Sequence, residues 1–550
     1  MISINKFYIF LIITTISAEN YTVTDSYNYL INRSSNSHPT THIINLLRSG
    51  SEGLNSQEIL RLRSLGLNEI NGQFKSVLPT DLNQNYETEH FSFHYTNEGN
   101  DAVENIDYVI KMSEIYEQVW RFYIDTLGYT PPPINPNSIT SSYNVYIQNL
   151  PSFYFGITYT EEGDLEGPSC LSFIKMRNNY TGSQFSQKTE IENLKVTAVH
   201  EFFHAIQFGY NCYEKFWLME ATAVWSEDKL YDGINDLYRY MPSWFSNPQM
   251  SINDGSSHMY GSFIFFQYID EHLGGANTIK ACWDYSNKLA TPNQDMSIIS
   301  VDNALKDQNS SFNEAHIRMR IANLIMTNDL SSSPYTFEEA DGYKSVLDEI
   351  PFQSIIFEQN NIQTISKIVN DEYSSSYFDI IFDSPIQIEL NDEQSNFKLS
   401  SIAKVPNQDI WNVRTSNVIN IDPSIRFEWV RLVVSINNFD LLNAKNYTLT
   451  IKDGYSEDFT LYPPYPNPSF GNKINFKVQV INPQIIKFKI FNILGENVWN
   501  EVFLFEEAQI KSIVWNGLNI NGQKVSNGVY FLQILGNKKT KTEKVIILKK

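Results

Sequence analysis

The sequence predicts an α+β domain followed by two all-β modules. Three observations carry this reading. Strand-like runs lead into a buried helix in the first half of the chain. The texture turns to short β-branched and aromatic strands after about residue 330. A Pro-rich segment followed by Gly turns then opens a separate C-terminal unit. The chain has 550 residues, too many for one ordinary domain. Hydrophobic residues make up 42% and charged residues 19%, the composition of globular material. A net charge of -21 argues against a nucleic-acid partner, because phosphate binding needs a surplus of Lys and Arg. It suits a self-repelling, soluble surface.

The elements follow in order. Residues 1–18 read as a secretory signal. Lys6 supplies the positive start, residues 7–16 an apolar run too short for a bilayer span, and Ser17 and Ala18 a small-residue cleavage site. No later stretch is long and apolar enough to cross a membrane. Residues 19–85 are polar, with one amphipathic segment at 55–67, and read as a propeptide or loosely packed leader. From Glu89, His90, Ser92 and His94 alternate with Phe91, Phe93 and Tyr95 as in a strand, which separates the two histidines too far for a shared metal. A helix follows, with Asp101 as its N-cap, a stripe from Val103 to Phe122, and Gly128 as its stop. Pro131, Pro132 and Pro133 break the chain. Strand-like runs at 144–148, 155–160 and 170–176 precede a helix over 192–208, closed by Gly209. Helical sequence continues to about Thr327, and the domain is read as 86–330. Residues 331–454 read as a β-sandwich, with strands around 378–382, 431–435 and 447–451, and residues 455–550 as the final unit. The cysteines Cys170, Cys212 and Cys282 allow at most one bridge and include no CxxC pair; simple buried cysteines are the expectation.

His200-Glu201-Phe202-Phe203-His204 carries the chemistry. Residues i and i+4 share a helix face, so both imidazoles reach one ion at about 2.0–2.1 Å. Glu201 lies beside that face, placed to take a proton from activated water. A hydrolytic zinc site keeps three protein ligands and one open position. Glu220, in Trp217-Leu218-Met219-Glu220-Ala221-Thr222-Ala223, is the favoured third ligand, with Ala221 and Ala223 permitting close helix approach. Glu227, two turns on, is the competitor, and Glu214 is the weaker one. No third histidine stands at the HExxHxxGxxH spacing. An oxyanion donor is expected from Tyr260, with His258 as runner-up. The run 170–176 is read as an edge strand able to pair with an extended peptide.

The stretch HEFFHAIQFGY…WLMEATAVWSED resembles the gluzincin clan of metallopeptidases, in the branch with HExxH followed by a WxxExxA helix. The resemblance spans residues 90–275. It implies a zincin-like catalytic fold, a Zn2+ cofactor, Glu201 as general base, and His200, His204 and Glu220 as ligands. One departure stands out: a thermolysin-like ExxxD pattern wants Asp at 224, where this chain has Val224. The acceptor that orients a ligand histidine then comes from elsewhere, Glu227 or Asp228.

The end of the chain resembles the C-terminal sorting domain of type IX secretion. The carriers are Tyr465-Pro466-Asn467-Pro468, Ile493-Leu494-Gly495, Trp515-Asn516-Gly517, Asn521-Gly522, Asn527-Gly528-Val529-Tyr530-Phe531 and the basic run 544–550. The resemblance implies an Ig-like β-sandwich, the type IX machinery as partner, and a secreted or outer-membrane surface protein of a Gram-negative bacterium. The expected function is a secreted zinc endopeptidase acting on protein or peptide substrates. The competing readings are a non-catalytic surface or adhesion protein on a peptidase scaffold, and a metal hydrolase of non-peptide bonds.

Overall fold

The computed structural model describes residues 21–31, 38–136, 141–151, 154–162, 165, 167–291, 294–347, 350–369, 371–406, 411–423, 427–436, 445–454, 459–470, 473–480, 484–506, 509–536 and 539–548. The signal segment 1–18 and the last two lysines lie outside them.

The leader forms helices α1 (Val23–Ile31), α2 (Thr40–Ser49) and α3 (Ser56–Leu62), then a hairpin of β1 (Leu67–Ile70) and β2 (Gln73–Ser76). Asn55 caps α3: its side chain accepts the N–H groups of Gln57 and Glu58, and the Glu58 carboxylate returns to the Asn55 N–H. The hairpin turns on Asn71 and Gly72, at φ 53° and 84°, the left-handed pair a tight hairpin requires. Tyr27, Leu30, Ile43, Leu46, Leu62 and Phe74 build one core with Ile157, Tyr159 and Phe173 of the following domain. The leader is therefore not loosely packed. Its apolar residues are spread over three short helices, none long enough to show a periodic stripe in the sequence.

The next strands are β3 (Gln84–Glu87), β4 (Phe91–Tyr95), β5 (Tyr143–Gln148), β6 (Gly156–Glu161) and β7 (Leu171–Arg177), in the order β3-β4-β5-β7-β6. The β4-β5-β7 core is parallel and the outer pairs are antiparallel. Helix α4 (Ile106–Trp120) links β4 to β5, and α5 (Glu190–Asn211) follows β7. One sheet face receives α4 and α5. There the Phe202 ring lies 5.1 Å from Phe91 and 5.8 Å from both Trp120 and Tyr143, centroid to centroid. The opposite face is covered by the leader.

Four expectations change. The run around 170–176 is not an edge: β7 lies between β5 and β6, every residue of it is buried, and the edge is β6. The N-cap of α4 is Asn105, whose side chain accepts the Tyr108 N–H at 3.2 Å. Asp101 instead binds the end of β5, through the Asn149 N–H at 2.9 Å and Gln148 Nε2 at 3.2 Å. Gly209 does not close α5. It sits inside the helix, where a Cβ would stand 3.0 Å from Pro133 Cδ, so it is a close-approach position. Cys170 and Cys212 form a disulfide, while Cys282 alone is a free buried thiol. The bridge ties the entry of β7 to the exit of α5, a proximity that sequence spacing does not reveal.

Helices α6 (Phe216–Tyr231), α7 (Met241–Ser246), α8 (His258–Gly261), α9 (Phe263–His272), α10 (Ala276–Leu289), α11 (Ser297–Lys306), α12 (Phe312–Ile325) and α13 (Ala340–Val346) complete this half. Phe337, Ala340 and Tyr343 belong to its core, so helical packing extends past residue 330.

Two sheets follow, built from β8 (Gln353–Ile356), β9 (Ile362–Val369), β10 (Ser375–Ile381), β11 (Ile386–Asn391), β12 (Phe397–Lys404), β13 (Trp411–Thr415), β14 (Val418–Ile421), β15 (Trp429–Ile436) and β16 (Lys445–Asp453). Their orders are β13-β12-β15-β10-β8 and β14-β11-β16-β9. Ile317, Ile321, Leu324 and Ile325 of α12 pack on Tyr377, Ile402 and Val433 of the first sheet, docking the two halves.

The last unit pairs a sheet of β17 (Phe459–Leu461), β18 (Ile474–Val480) and β21 (Gln509–Trp515) with one of β20 (Asn497–Phe505), β19 (Gln484–Asn492), β22 (Gly528–Leu535) and β23 (Thr540–Ile547). Its core is its own, from Phe459 to Ile547. No helix among the described residues is long and apolar enough to cross a membrane.

Replacing Cys170 and Cys212 together by serine should lower stability by about 2–4 kcal/mol, the range for a closed loop of this size. Denaturant unfolding checks this, and an unchanged midpoint would count against the bridge.

Candidate metal centre

Helix α5 starts at a capping box, with the Thr189 hydroxyl on the Glu192 N–H and the Glu192 carboxylate on the Thr189 N–H. It is buried over almost its whole length, as is α6 beside it. His200, Glu201, His204 and Glu220 each have no solvent exposure. Ala221 and Ala223 flank Glu220 with no exposed surface, consistent with the close approach of the two helices.

Each histidine is oriented through its Nδ1. His200 Nδ1 lies 2.7 Å from Glu227 Oε1, and His204 Nδ1 lies 2.8 Å from Gln207 Oε1. Gln207 Nε2 donates to Met219 O at 2.9 Å and Thr222 Oγ1 at 3.1 Å, so its oxygen is the acceptor for His204. Both Nδ1 atoms therefore carry hydrogens, and both Nε2 lone pairs point inward. The two Nε2 atoms stand 3.1 Å apart, with Glu220 Oε2 at 3.2 Å from His200 Nε2 and 3.7 Å from His204 Nε2. Ligands of a tetrahedral zinc at about 2.0–2.1 Å stand roughly 3.3 Å from one another. Neither oxygen of Glu220 has a hydrogen-bond donor.

Three inward acceptors in a dry core demand a positive charge between them. The titration behaviour reflects this. Burial opposes a charge on His200, but the Glu220 and Glu227 carboxylates outweigh it and push its pKa up to about 10. Burial likewise favours a neutral Glu220, yet the His204 and His200 rings hold it well below the usual carboxylate range. The donor set, two imidazoles and one carboxylate, suits zinc.

Glu201 points from the same helix toward β6. Its Oε2 accepts from Thr158 Oγ1 at 2.7 Å and from Thr40 Oγ1 of the leader at 2.9 Å, while Oε1 has no donor. Gly156 lets β6 come this close, since a Cβ there would stand 2.7 Å from Thr197 Cγ2 and 2.9 Å from Glu201 Cγ. The His38 ring stacks on His200 at 3.6 Å, with its Nδ1 3.6 Å from Glu201 Oε1 and its Nε2 3.1 Å from Arg239 Nη2. Burial first, then the neighbouring His200 and Arg239 charges, hold His38 well below the usual imidazole range.

The other sequence candidates separate. The Tyr260 hydroxyl donates to His38 O at 2.9 Å, next to the cluster. His258 is not brought to it: the ring stacks on Trp244 at 4.6 Å, and burial together with the Arg320 charge pushes its pKa down to about 3. Glu227 orients His200 instead of ligating beside it, and it supplies the acceptor that Val224 cannot. Glu214 bonds Ser286 Oγ at 2.5 Å, away from the cluster. Asp228 faces Asp232 and Glu339 instead, and burial followed by those charges raises its pKa to about 8. His90 pairs with Glu117 at 2.8 Å and His94 with Asn144 at 2.8 Å, and neither joins a group of candidate ligands among the described residues. Sequence reasoning missed Gln207, although its place three residues after His204 on a helix is a usable signal. It also missed Thr158, Thr40, His38 and Arg239, which no spacing connects to the motif.

Glu227→Ala should lower zinc affinity roughly 10–100-fold by freeing the His200 ring. Competition with a chelator measures this, and an unchanged affinity would remove Glu227 from the site. Gly156→Ala should lower the thermal unfolding midpoint while leaving the same chelator competition unchanged, because the added methyl meets Thr197 and Glu201 and not the cluster of His200, His204 and Glu220.

A secretion system C-terminal sorting domain matches residues 464–548, which makes the chain a secreted or cell-surface protein exported by type IX secretion, with that machinery as partner. No curated protein matches the chain. Among solved structures, PorZ of Porphyromonas gingivalis, described as an essential bacterial surface component of the type IX secretion system, is 16% identical over 21% of this chain and 15% of its own, with a TM-score of 0.13. Dimeric latent PorU of the same organism is 13% identical over 37% of this chain and 19% of its own, with a TM-score of 0.18. PliG of Salmonella Typhimurium, a periplasmic inhibitor of g-type lysozyme, is 9% identical over 18% of this chain and 97% of its own, with a TM-score of 0.14. The chain thus spans under a fifth of the first two, and scores of this size establish no common fold. A family model matches residues 73–354, more than half of the chain, and takes in the whole metal cluster: the chain belongs to the family of unknown function named DUF6055.

Proposed function

We propose that this protein is a secreted zinc-dependent endopeptidase with a zincin-like catalytic domain. The observation that carries the proposal is the convergence of His200 Nε2, His204 Nε2 and Glu220 Oε2 within 3.1–3.7 Å, in a buried site where Glu220 has no hydrogen-bond donor. The gluzincin resemblance of the two helices supports it. Held there, zinc supplies Lewis acidity toward water and a scissile carbonyl.

The chain's own residues do the rest. Glu201 receives a proton from the attacking water at Oε1, the oxygen without a donor, while Thr158 fixes Oε2. The same carboxyl then delivers that proton to the leaving amine. The Tyr260 hydroxyl donates to the oxygen on which negative charge develops. The substrate backbone runs along the outer edge of β6, which pairs with no further strand among the described residues, as an added strand.

Metal analysis of the full chain should find about one zinc per molecule, and Glu220→Ala or His204→Ala should abolish it. Glu201→Gln should keep the zinc and lower casein hydrolysis by about 100-fold or more. A zinc-free chain, or a Glu201→Gln variant as active as a parent that hydrolyses casein, would sink this function.

A further inference from the structure

The inference concerns regulation of the same site, and it rests on the zinc reading above. The leader touches Glu201, Thr158, Tyr260 and His200, all of which have roles in that reading. Thr40 Oγ1 donates to Glu201 Oε2 at 2.9 Å and accepts the Thr158 N–H at 3.0 Å, an edge N–H of β6. Ser76 Oγ donates to Thr160 O at 2.6 Å on the same edge. The His38 ring covers His200 at 3.6 Å and faces Glu201 Oε1. The His38 carbonyl accepts from the Tyr260 hydroxyl at 2.9 Å, as a scissile carbonyl would. What stays open beside it is a small cavity lined by His38, Val196, Thr197 and Arg239.

The path is substrate-like but unfit for cleavage. The bond after that carbonyl leads to Pro39, whose nitrogen carries no hydrogen. Pro39 also takes helical angles, φ -83° and ψ -7°, so the backbone turns into α2 instead of continuing along the strand. The leader is anchored by its core and by the Tyr154 hydroxyl on Leu30 O at 2.5 Å. Its exit is different. Residues 77–83 have no regular structure, and Leu78, Thr80, Asp81 and Asn83 are exposed, which makes this connection open to a protease. The family match begins at residue 73, after the segment that crosses the site.

We propose that residues 38–40 occupy the substrate cleft in place of a peptide substrate. They hold the exported chain latent until another endopeptidase hydrolyses the 77–83 connection and frees the leader.

The test uses the full chain with the recognition sequence of a specific protease placed at 78–82. Zinc content, binding of a fluorescent peptide hydroxamate, and casein hydrolysis are measured before and after cutting. The uncut chain should carry zinc, bind hydroxamate at least 10-fold more weakly than the cut chain, and hydrolyse casein at least 10-fold more slowly. An uncut His38→Gly, Thr40→Ala double variant should tighten hydroxamate binding in the same direction, which decides the matter even where a severed leader stays in place. Zinc-loaded uncut, cut and double-variant chains that bind hydroxamate equally would overturn latency and leave the zinc reading intact. Absence of zinc from every form would overturn both.

Discussion

A carboxylate without a hydrogen-bond donor, shut in the core between two inward-facing imidazole nitrogens, is the constraint that the first half of the chain is built around. Such an arrangement is unfavourable by itself, since three acceptors repel and a buried charge loses its hydration. It persists because everything around it is over-determined. Glu227 and Gln207 fix the ring planes. Ala221 and Ala223 bring no bulk beside Glu220 where α5 and α6 meet. Phe202 and Phe203 anchor the opposite side of α5 on aromatic rings, with Phe203 stacked 4.9 Å from Tyr123. Gly156 then lets the sheet edge reach Glu201. A cation held there would resolve the repulsion and turn the cost into cohesion between two helices.

What could be read in the sequence follows from how local each signal is. The i, i+4 histidines, the base between them and the Glu220 helix lie on two consecutive helices, and the structure brings their side chains together. The strands around Val145, Ile174 and Val433 were visible because alternation or unbroken β-branched runs are local too. Sheet order was not visible: the run at 170–176 looked like a free edge, but the neighbours of a strand depend on the crossover through α4 and on the short strand β6. The covalent link between Cys170 and Cys212 was equally hidden, because its partners meet only after β7 and α5 have packed. The leader was the largest miss. Its contribution to the site comes from His38 and Thr40, more than 150 positions away from Glu201, and no motif marks either of them.

The division of labour along the chain also has a physical basis. The sorting domain owns a separate core, from Phe459 to Ile547, so it can be read by the export machinery without disturbing the half that holds the cluster. The middle sandwich is different. It is docked on α12 through Ile317, Ile321 and Ile325, an apolar joint that favours a fixed spacing between the metal cluster and the sandwich.

The bridge between Cys170 and Cys212 gives the site a dependence on compartment. Thiols stay reduced in the cytosol and are oxidised beyond the inner membrane. Since that covalent link fastens the end of the histidine helix to the start of β7, the scaffold of the cluster gains this fastening only after translocation. The redox poise of the cell therefore couples the last covalent fastening of this scaffold to export.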